Sequence, residues 1–162
     1  MKTTFTTWLL AAILLTFTAC KKGDTGSPGT NGTNGANGNA NVQSMTATIS
    51  TNQWTLNGNE YDITINDAAI TQSIVTTGSI QLFVSANGTT WTALPFSIMD
   101  REFNFQYSVG LVTIGYTTGT GVSPTSAPNN DQFKIIAITA SARAANPSVN
   151  WNDYNQVKGL VE

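Results

Sequence analysis

A repeated alternation of apolar and polar residues after position 41 constrains this chain more than any other feature. Alternation places successive side chains on opposite faces of a strand, so that one face packs and the other meets solvent. The alternating segments lie at 42–49, 61–65, 80–84, 103–109 and 111–116. Residues 89–96 are the expected return strand of a hairpin, and 133–139 is a nearly continuous, β-branched apolar run typical of a central strand. The pattern predicts an all-β fold, a β-sandwich-like head of about seven antiparallel strands over residues 41–162.

Turn and helix signals separate these segments. Asn87-Gly88 predicts a tight hairpin turn, and Gly110 predicts the turn between the segments on either side of it. Thr71 is a suitable cap for a single helical turn that Gly78 would end. The stretch 117–130, rich in Gly, Thr, Ser and Pro, is predicted to be a long loop.

The end of the chain predicts a short C-terminal helix. Asn152 suits the N-cap position, and Asp153 suits the first turn. Trp151, Tyr154 and Val157 then share one side at helical spacing. We expect these three side chains to seal the end of the sandwich rather than to bind a ligand.

The first 19 residues have the form of an export signal. Lys2 supplies the positive charge, and residues 8–17 read WLLAAILLTF. A membrane-spanning helix needs about 20 apolar residues, and this run stops before Lys21. Residues 1–19 are therefore predicted to be a signal peptide that is removed.

The only cysteine of the chain, Cys20, follows this run directly. The motif Phe17-Thr18-Ala19-Cys20 resembles a bacterial lipobox, in which small residues precede the thiol that receives the lipid. It predicts cleavage before Cys20 and attachment to a membrane through lipid on that residue. The expected location is the cell envelope, as an outer-membrane lipoprotein at the cell surface. The alternative is an ordinary secretory signal with an incidental cysteine.

Residues 20–40 form a linker in which glycine recurs at every third position from Gly23 to Gly38. This is the Gly-x-y pattern of collagen, where only glycine fits at the axis of three wound chains. Pro28 is the only proline in the run, whereas collagen-like stability needs roughly 15–20% proline. Two interpretations remain open: a solvated tether, or a triple helix that makes the protein a homotrimer.

The residue composition narrows the chemistry. The chain has no histidine and a net charge of -2, which argues against Ser-His-Asp catalysis, imidazole metal sites and nucleic-acid binding. Asp100 and Glu102 are the nearest approach to a glycosidase pair, and a solvated loop explains them more simply. Asp62 and Asp67 lack the spacing of a calcium loop. We expect no enzyme activity, no catalytic residue, no metal and no cofactor.

Aromatic residues offer a binding alternative. Trp54, Trp91 and Tyr116, together with Tyr61, would suit an exposed platform for a surface glycan. The competing interpretation is that the same rings pack in the core or on a hairpin. Exposed coplanar rings beside Asn or Asp would favour sugar binding, and buried rings would not.

Three features together carry a family resemblance: the lipobox, the Gly-x-y run that ends at 38–42, and three motifs of the body. These motifs are WTALPF at 91–96, FKIIAI at 133–138 and VNWNDYNQVK at 149–158. In this order they resemble the collagen-like lipoproteins of unknown function from Gram-negative bacteria. The resemblance implies a surface or periplasmic lipoprotein with a β-rich head and no catalytic residue. The predicted function is a structural or adhesive role without catalysis, and the alternative is a glycan-binding β-sandwich module on a lipid-anchored stalk. The partners considered are the membrane and a surface glycan or protein.

Overall fold

The structure is a computed structural model, and it describes residues 41–98 and 100–161. Nine strands and three short helices lie within these residues. The predictions for residues 1–40, including Cys20 and the Gly-x-y run, lie outside these residues. The strands are β1 (Val42–Ile49), β2 (Thr55–Asn57), β3 (Glu60–Asn66), β4 (Ser79–Ser85), β5 (Thr92–Ala93), β6 (Phe96–Ile98), β7 (Arg101–Ser108), β8 (Leu111–Thr117) and β9 (Asp131–Ile138). The helices are α1 (Gln72–Thr77), α2 (Ala140–Ala145) and α3 (Tyr154–Val161), and Thr51–Gln53 forms a 3-10 turn.

The strands form two antiparallel sheets. The four-stranded sheet has the order β1-β9-β4-β5, and the five-stranded sheet has the order β2-β3-β8-β7-β6. The predicted all-β, sandwich-like head with a short C-terminal helix is therefore confirmed. Its number of strands was underestimated, because nine strands are present among the described residues where about seven were expected.

The two additional strands have local causes. β2 has only three residues, too few to show alternation, and it pairs with β3 across a turn in which Gly58 has φ of 62°. The segment 89–96 divides into β5 and β6, which belong to different sheets. Pro95 lies between them and has no N–H, so the hydrogen-bond ladder of β5 cannot continue through it.

The hairpin at Asn87-Gly88 is present, but its turn is wider than predicted. β4 ends at Ser85 and β5 begins only at Thr92. Oδ1 of Asn87 accepts the backbone N–H groups of Thr89 and Thr90, both at 2.9 Å. Side-chain oxygens thus accept hydrogen bonds from the backbone N–H groups of this loop, so the longer loop is stabilised without a two-residue turn.

The main core fills the space between the two sheets. Phe133 on β9 lies 6.0 Å from Phe103 on β7, measured between ring centroids, and both side chains are buried. Inward-facing residues of β3, β4 and β8 complete this layer: Ile65, Ile80, Leu82, Val84, Val112, Ile114 and Tyr116. Because side chains alternate between the two faces of a strand, these residues all point into the same layer.

The four-stranded sheet also has a covered outer face. Phe83, Ile136 and Ile138 point away from the main core and pack with Trp151 and Val157 of the C-terminal segment. The expectation that this segment seals the end of the sandwich was wrong: it covers one face of a sheet. The physical reason is that Phe83 of β4 and Ile136 and Ile138 of β9 also place large apolar side chains on the outer face, and such side chains are stabilised by burial.

Two details of the C-terminal segment differ from prediction. α2 was not expected; Oγ1 of Thr139 caps it by accepting the N–H of Ala142 at 3.1 Å. α3 begins one residue later than expected, because Asp153 rather than Asn152 accepts from its first turn, taking the N–H of Asn155 at 3.0 Å.

The remaining local predictions are confirmed. Oγ1 of Thr71 accepts the N–H of Ile74 at 3.3 Å and so caps α1. Gly78 ends that helix at a position where a Cβ atom would lie 2.5 Å from the carbonyl oxygen of Ile138. Gly110, with φ of 76°, makes the turn between β7 and β8. No helix in the ranges 41–98 and 100–161 is both long and apolar enough to cross a membrane.

The outer face of the five-stranded sheet is polar, unlike that of its partner sheet. Nδ2 of Asn104 donates to Oε1 of Glu60 at 2.8 Å across the central strand. Gly115 lies beneath this bridge, where a Cβ atom would approach Oε1 of Glu60 to 1.6 Å. Glycine at this position therefore allows the two side chains to meet above β8.

Candidate functional site

Among the recesses on the described part of the chain, two have charged as well as neutral side chains in their lining. The first, here called the inter-sheet cleft, has a volume of about 260 Å³ and lies where the loop after β4 faces β6 and β7. Its walls include Phe96, Phe103, Arg101 and Asp131.

Arg101 and Asp131 give the inter-sheet cleft its electrostatic character. The guanidinium carbon of Arg101 lies 5.6 Å from the ring centroid of Tyr116 and 6.0 Å from that of Phe103. Burial raises the pKa of the Asp131 carboxyl above its usual value, and the positive charge of Arg101 opposes part of this rise. The cleft therefore contains a carboxyl group that holds its proton more tightly than an exposed aspartate does.

The second recess, here called the asparagine groove, has a volume of about 480 Å³ and is open to solvent. It lies between the loop that precedes β5 and the segment that leads into α3. Its lining is mostly polar and uncharged: Thr89, Thr90, Trp91, Asn150, Asn152, Asp153, Tyr154 and Asn155.

An aromatic pair forms one wall of the asparagine groove. The ring centroids of Trp91 and Tyr154 are 5.4 Å apart, and their planes meet at 44°. Nζ of Lys134 lies 4.8 Å from the Trp91 centroid and 4.7 Å from the Tyr154 centroid, and it donates a hydrogen bond to the Tyr154 hydroxyl. Phe83 supports Tyr154 edge-on at 5.4 Å. These contacts hold both rings in place.

The amide side chains of the groove are also held in place. Oδ1 of Asn150 accepts the N–H of Asn152 at 3.1 Å. Oδ1 of Asn152 accepts from Nε2 of the buried Gln81 at 2.6 Å, which ties the groove to β4. Asn152, predicted as a helix cap, is therefore a contact between the C-terminal segment and the sheet.

The structure does not bring the predicted aromatic residues together as an exposed platform. Trp54 and Tyr116 are buried in the main core, where Trp54 packs edge-on to Phe133 at 5.9 Å. Tyr61 is half-buried against the same core. Of these four residues only Trp91 lines the asparagine groove, and it packs against the cluster on the outer face of the four-stranded sheet. Inward register on β3 and β8 explains why the tyrosines face the core.

Sequence reasoning missed Tyr154 and the asparagines as site residues. Their local signal was the run Asn150-Trp151-Asn152-Asp153-Tyr154-Asn155, which has three asparagines within six residues. Helical spacing in the same run favoured a packing role, and Tyr154 in fact has both roles: its ring packs on Phe83 and also lines the groove.

The carboxylates considered for catalysis or metal binding lie apart from these recesses. Glu102 lies on β7, opposite Ser97 of β6 and Thr117 of β8, on the outer side of the five-stranded sheet. Asp100 is exposed in the turn that precedes β7. Asp62 and Asp67 are five positions apart along β3 and its exit, which at about 3.3 Å per residue is roughly 16 Å. Within the described ranges, no group of three or more acidic or cysteine side chains is placed to hold a metal ion.

The fold thus defines the described residues as an all-β, sandwich-like head with one face covered by helices. Comparison with known proteins found no matching family model, no matching curated protein and no matching solved structure.

Proposed function

We propose that this protein is a lipid-anchored lipoprotein of the bacterial cell envelope, exposed at the outer-membrane surface, whose head acts by contact and not by catalysis. The observation that carries the proposal is the position of Cys20. It is the only cysteine of the chain, and it stands directly after an export-signal core and two small residues. Lipid on Cys20 would anchor the protein, because two or more acyl chains give stable membrane attachment.

The placement of the folded head supports this role. β1 begins at Val42, directly after the Gly-x-y run. In an extended polyproline-like conformation, 16 residues of such a run reach roughly 50 Å at about 3.1 Å per residue. A linker of this reach would hold the head away from the lipid surface and present it to partners. The low proline content favours a tether over a triple helix.

The test of the anchor is fractionation of cells that produce the chain with Cys20→Ser. We expect the unmodified protein in the membrane pellet and the serine variant in the soluble fraction. A matched control is Ser44→Ala, which alters a similarly small side chain on an exposed position of β1. Persistence of the Cys20→Ser variant in the membrane would rule out the lipoprotein proposal.

A homotrimer through residues 21–40 is the second arrangement that the Gly-x-y run allows. Sedimentation of the soluble chain with and without these residues distinguishes the two. A trimer seen only when the run is present would favour a triple helix and a multivalent adhesive role.

Glycan binding by the head is a second candidate function. The specific observation in its favour is the asparagine groove, which combines a fixed aromatic pair with several amide side chains.

A further inference from the structure

The geometry of the asparagine groove points to a ligand class: we propose that this groove binds a neutral oligosaccharide. The proposal rests on the contact role given above, because it supplies that contact with a ligand. It moves sugar binding away from Trp54 and Tyr116, which are buried in the core.

An aromatic wall suits one side of a sugar ring. A pyranose presents patches of C–H groups on its faces, and these pack against an aromatic ring. Trp91 is half-buried at the groove, and Tyr154 and Lys134 hold it in position. A ring that is already immobile loses little conformational entropy when a ligand packs on it.

Amide side chains suit the hydroxyl groups of the same sugar. Asn150, Asn152 and Asn155 are exposed along the groove. An amide both donates and accepts, as a hydroxyl does, so each can pair with a sugar O–H in either direction. Asn152 uses its oxygen on Gln81, and its NH₂ group is therefore the part it offers.

The charges at the groove favour an uncharged ligand. The ammonium of Lys134 is engaged by Tyr154 and by two ring faces. The Asp153 carboxylate accepts the N–H of Asn155 and Nε2 of Gln156, both at 3.0 Å. Both charged groups thus already have partners within the protein, which lessens the gain from pairing either of them with a charged ligand.

The dimensions suit a chain of sugars rather than a small enclosed molecule. A volume of about 480 Å³ falls within the roughly 300–1,000 Å³ of typical ligand pockets. The groove is open to solvent, so a polymer can cross it without its ends being enclosed.

The experiment is isothermal titration of the full chain, purified in a zwitterionic detergent that has no sugar head group. The neutral probes are cellohexaose, xylohexaose, mannohexaose and chitohexaose, each raised to millimolar concentration. Hexagalacturonate serves as the acidic probe. We expect at least one neutral probe to bind and the acidic probe to bind more weakly or not at all.

Variants place the binding at the groove. Trp91→Ala should weaken binding by about tenfold or more, because the main packing surface is lost. Asn155→Ala removes an exposed side chain and should weaken binding by about threefold to tenfold, the loss expected for one hydrogen bond. Tyr107→Ala is the matched control: it truncates an exposed aromatic residue on the other sheet and should bind as the unmodified chain does. Circular dichroism checks that each variant is folded.

Three results would overturn the proposal. These are no heat with any neutral probe, binding that Trp91→Ala and Asn155→Ala both leave unchanged, and binding of hexagalacturonate alone. None of them bears on the anchor, which the fractionation of Cys20→Ser tests separately. A failure of the glycan proposal is therefore distinguishable from a failure of the lipoprotein proposal.

Discussion

Shortening one buried valine on α3 should destabilise the whole head, because α3 covers a face of the four-stranded sheet. Val157 is fully buried there, in a cluster with Phe83, Ile136 and Trp151. Val112 on β8 is equally buried, but in the core between the sheets. Val122 is 66% exposed in the loop after β8. The same substitution, valine to alanine, therefore tests three different environments while the atoms removed stay the same.

The expected losses follow from the buried methyl groups. Valine to alanine removes two carbons, worth about 1.6 kcal/mol at about 0.8 kcal/mol each. Unfilled space raises the cost to about 2–3 kcal/mol. At Val112 the loss of a residue that favours strands adds roughly a few tenths of a kcal/mol to the destabilisation. At Val157 alanine is the better helix former by about 0.5 kcal/mol, which leaves a loss of about 1.5–2.5 kcal/mol. Val122→Ala should change stability by no more than about 0.5 kcal/mol.

Urea denaturation measures these values on a soluble form that begins at residue 20 and carries Cys20→Ser. Tryptophan fluorescence and far-ultraviolet circular dichroism should give one coincident transition for each variant. The slope of the free energy of unfolding against urea concentration should stay constant while the midpoint falls.

One outcome would refute the reasoning. If Val157→Ala matched Val122→Ala while Val112→Ala lost its full 2–3 kcal/mol or so, the C-terminal segment would not belong to the cooperative unit. The cluster on the outer face of the four-stranded sheet would then contribute little to stability. One wall of the asparagine groove would belong to a segment that detaches easily.

Two further predictions concern the inter-sheet cleft and the extent of the folding unit. Asp131→Asn should raise the urea midpoint at pH 7 and leave it unchanged below pH 3.8. Burial raises the pKa of this carboxyl in the folded state, so the folded chain holds the proton more tightly and the unmodified protein loses stability as the pH rises above 3.8. A lower midpoint for the asparagine variant at pH 7 would mean that attraction to Arg101 outweighs burial. A fragment of residues 41–162 should fold without the linker, because both cores lie within it. Its circular dichroism spectrum should be that of a β protein, and a disordered spectrum would place the boundary elsewhere.

Local chemistry explains which parts of the fold could be predicted. The caps at Thr71 and Gly78 and the turn at Gly110 depend on residues close in sequence, and all three are present. The position of Asn152 was misjudged because its oxygen is taken by Gln81, 71 positions away. A local motif contains no information about a hydrogen-bond donor that is so far away in the sequence.

The candidate site shows the same limit more strongly. Trp91 and Tyr154 were both recognised as notable residues, yet nothing in the sequence indicated that their rings would be 5.4 Å apart. Trp54 and Tyr116 were grouped with Trp91 by residue type, and the packing of the two sheets assigned them to the core. Residue type alone does not distinguish an exposed ring from a buried one.

By itself, the sequence determined the periodicity of the strands, and with it the all-β class and the face of each strand that packs inward. It determined as well that FKIIAI at 133–138, within β9, would be a nearly continuous apolar run with Lys134 as its one polar residue, so that both faces of the strand carry apolar side chains. The tertiary structure alone decided what covers the second face, and hence that a polar groove forms where the loop before β5 meets the C-terminal segment. The reason is that hydrophobic burial is non-directional: it requires that an apolar face be covered, and it does not specify by which segment.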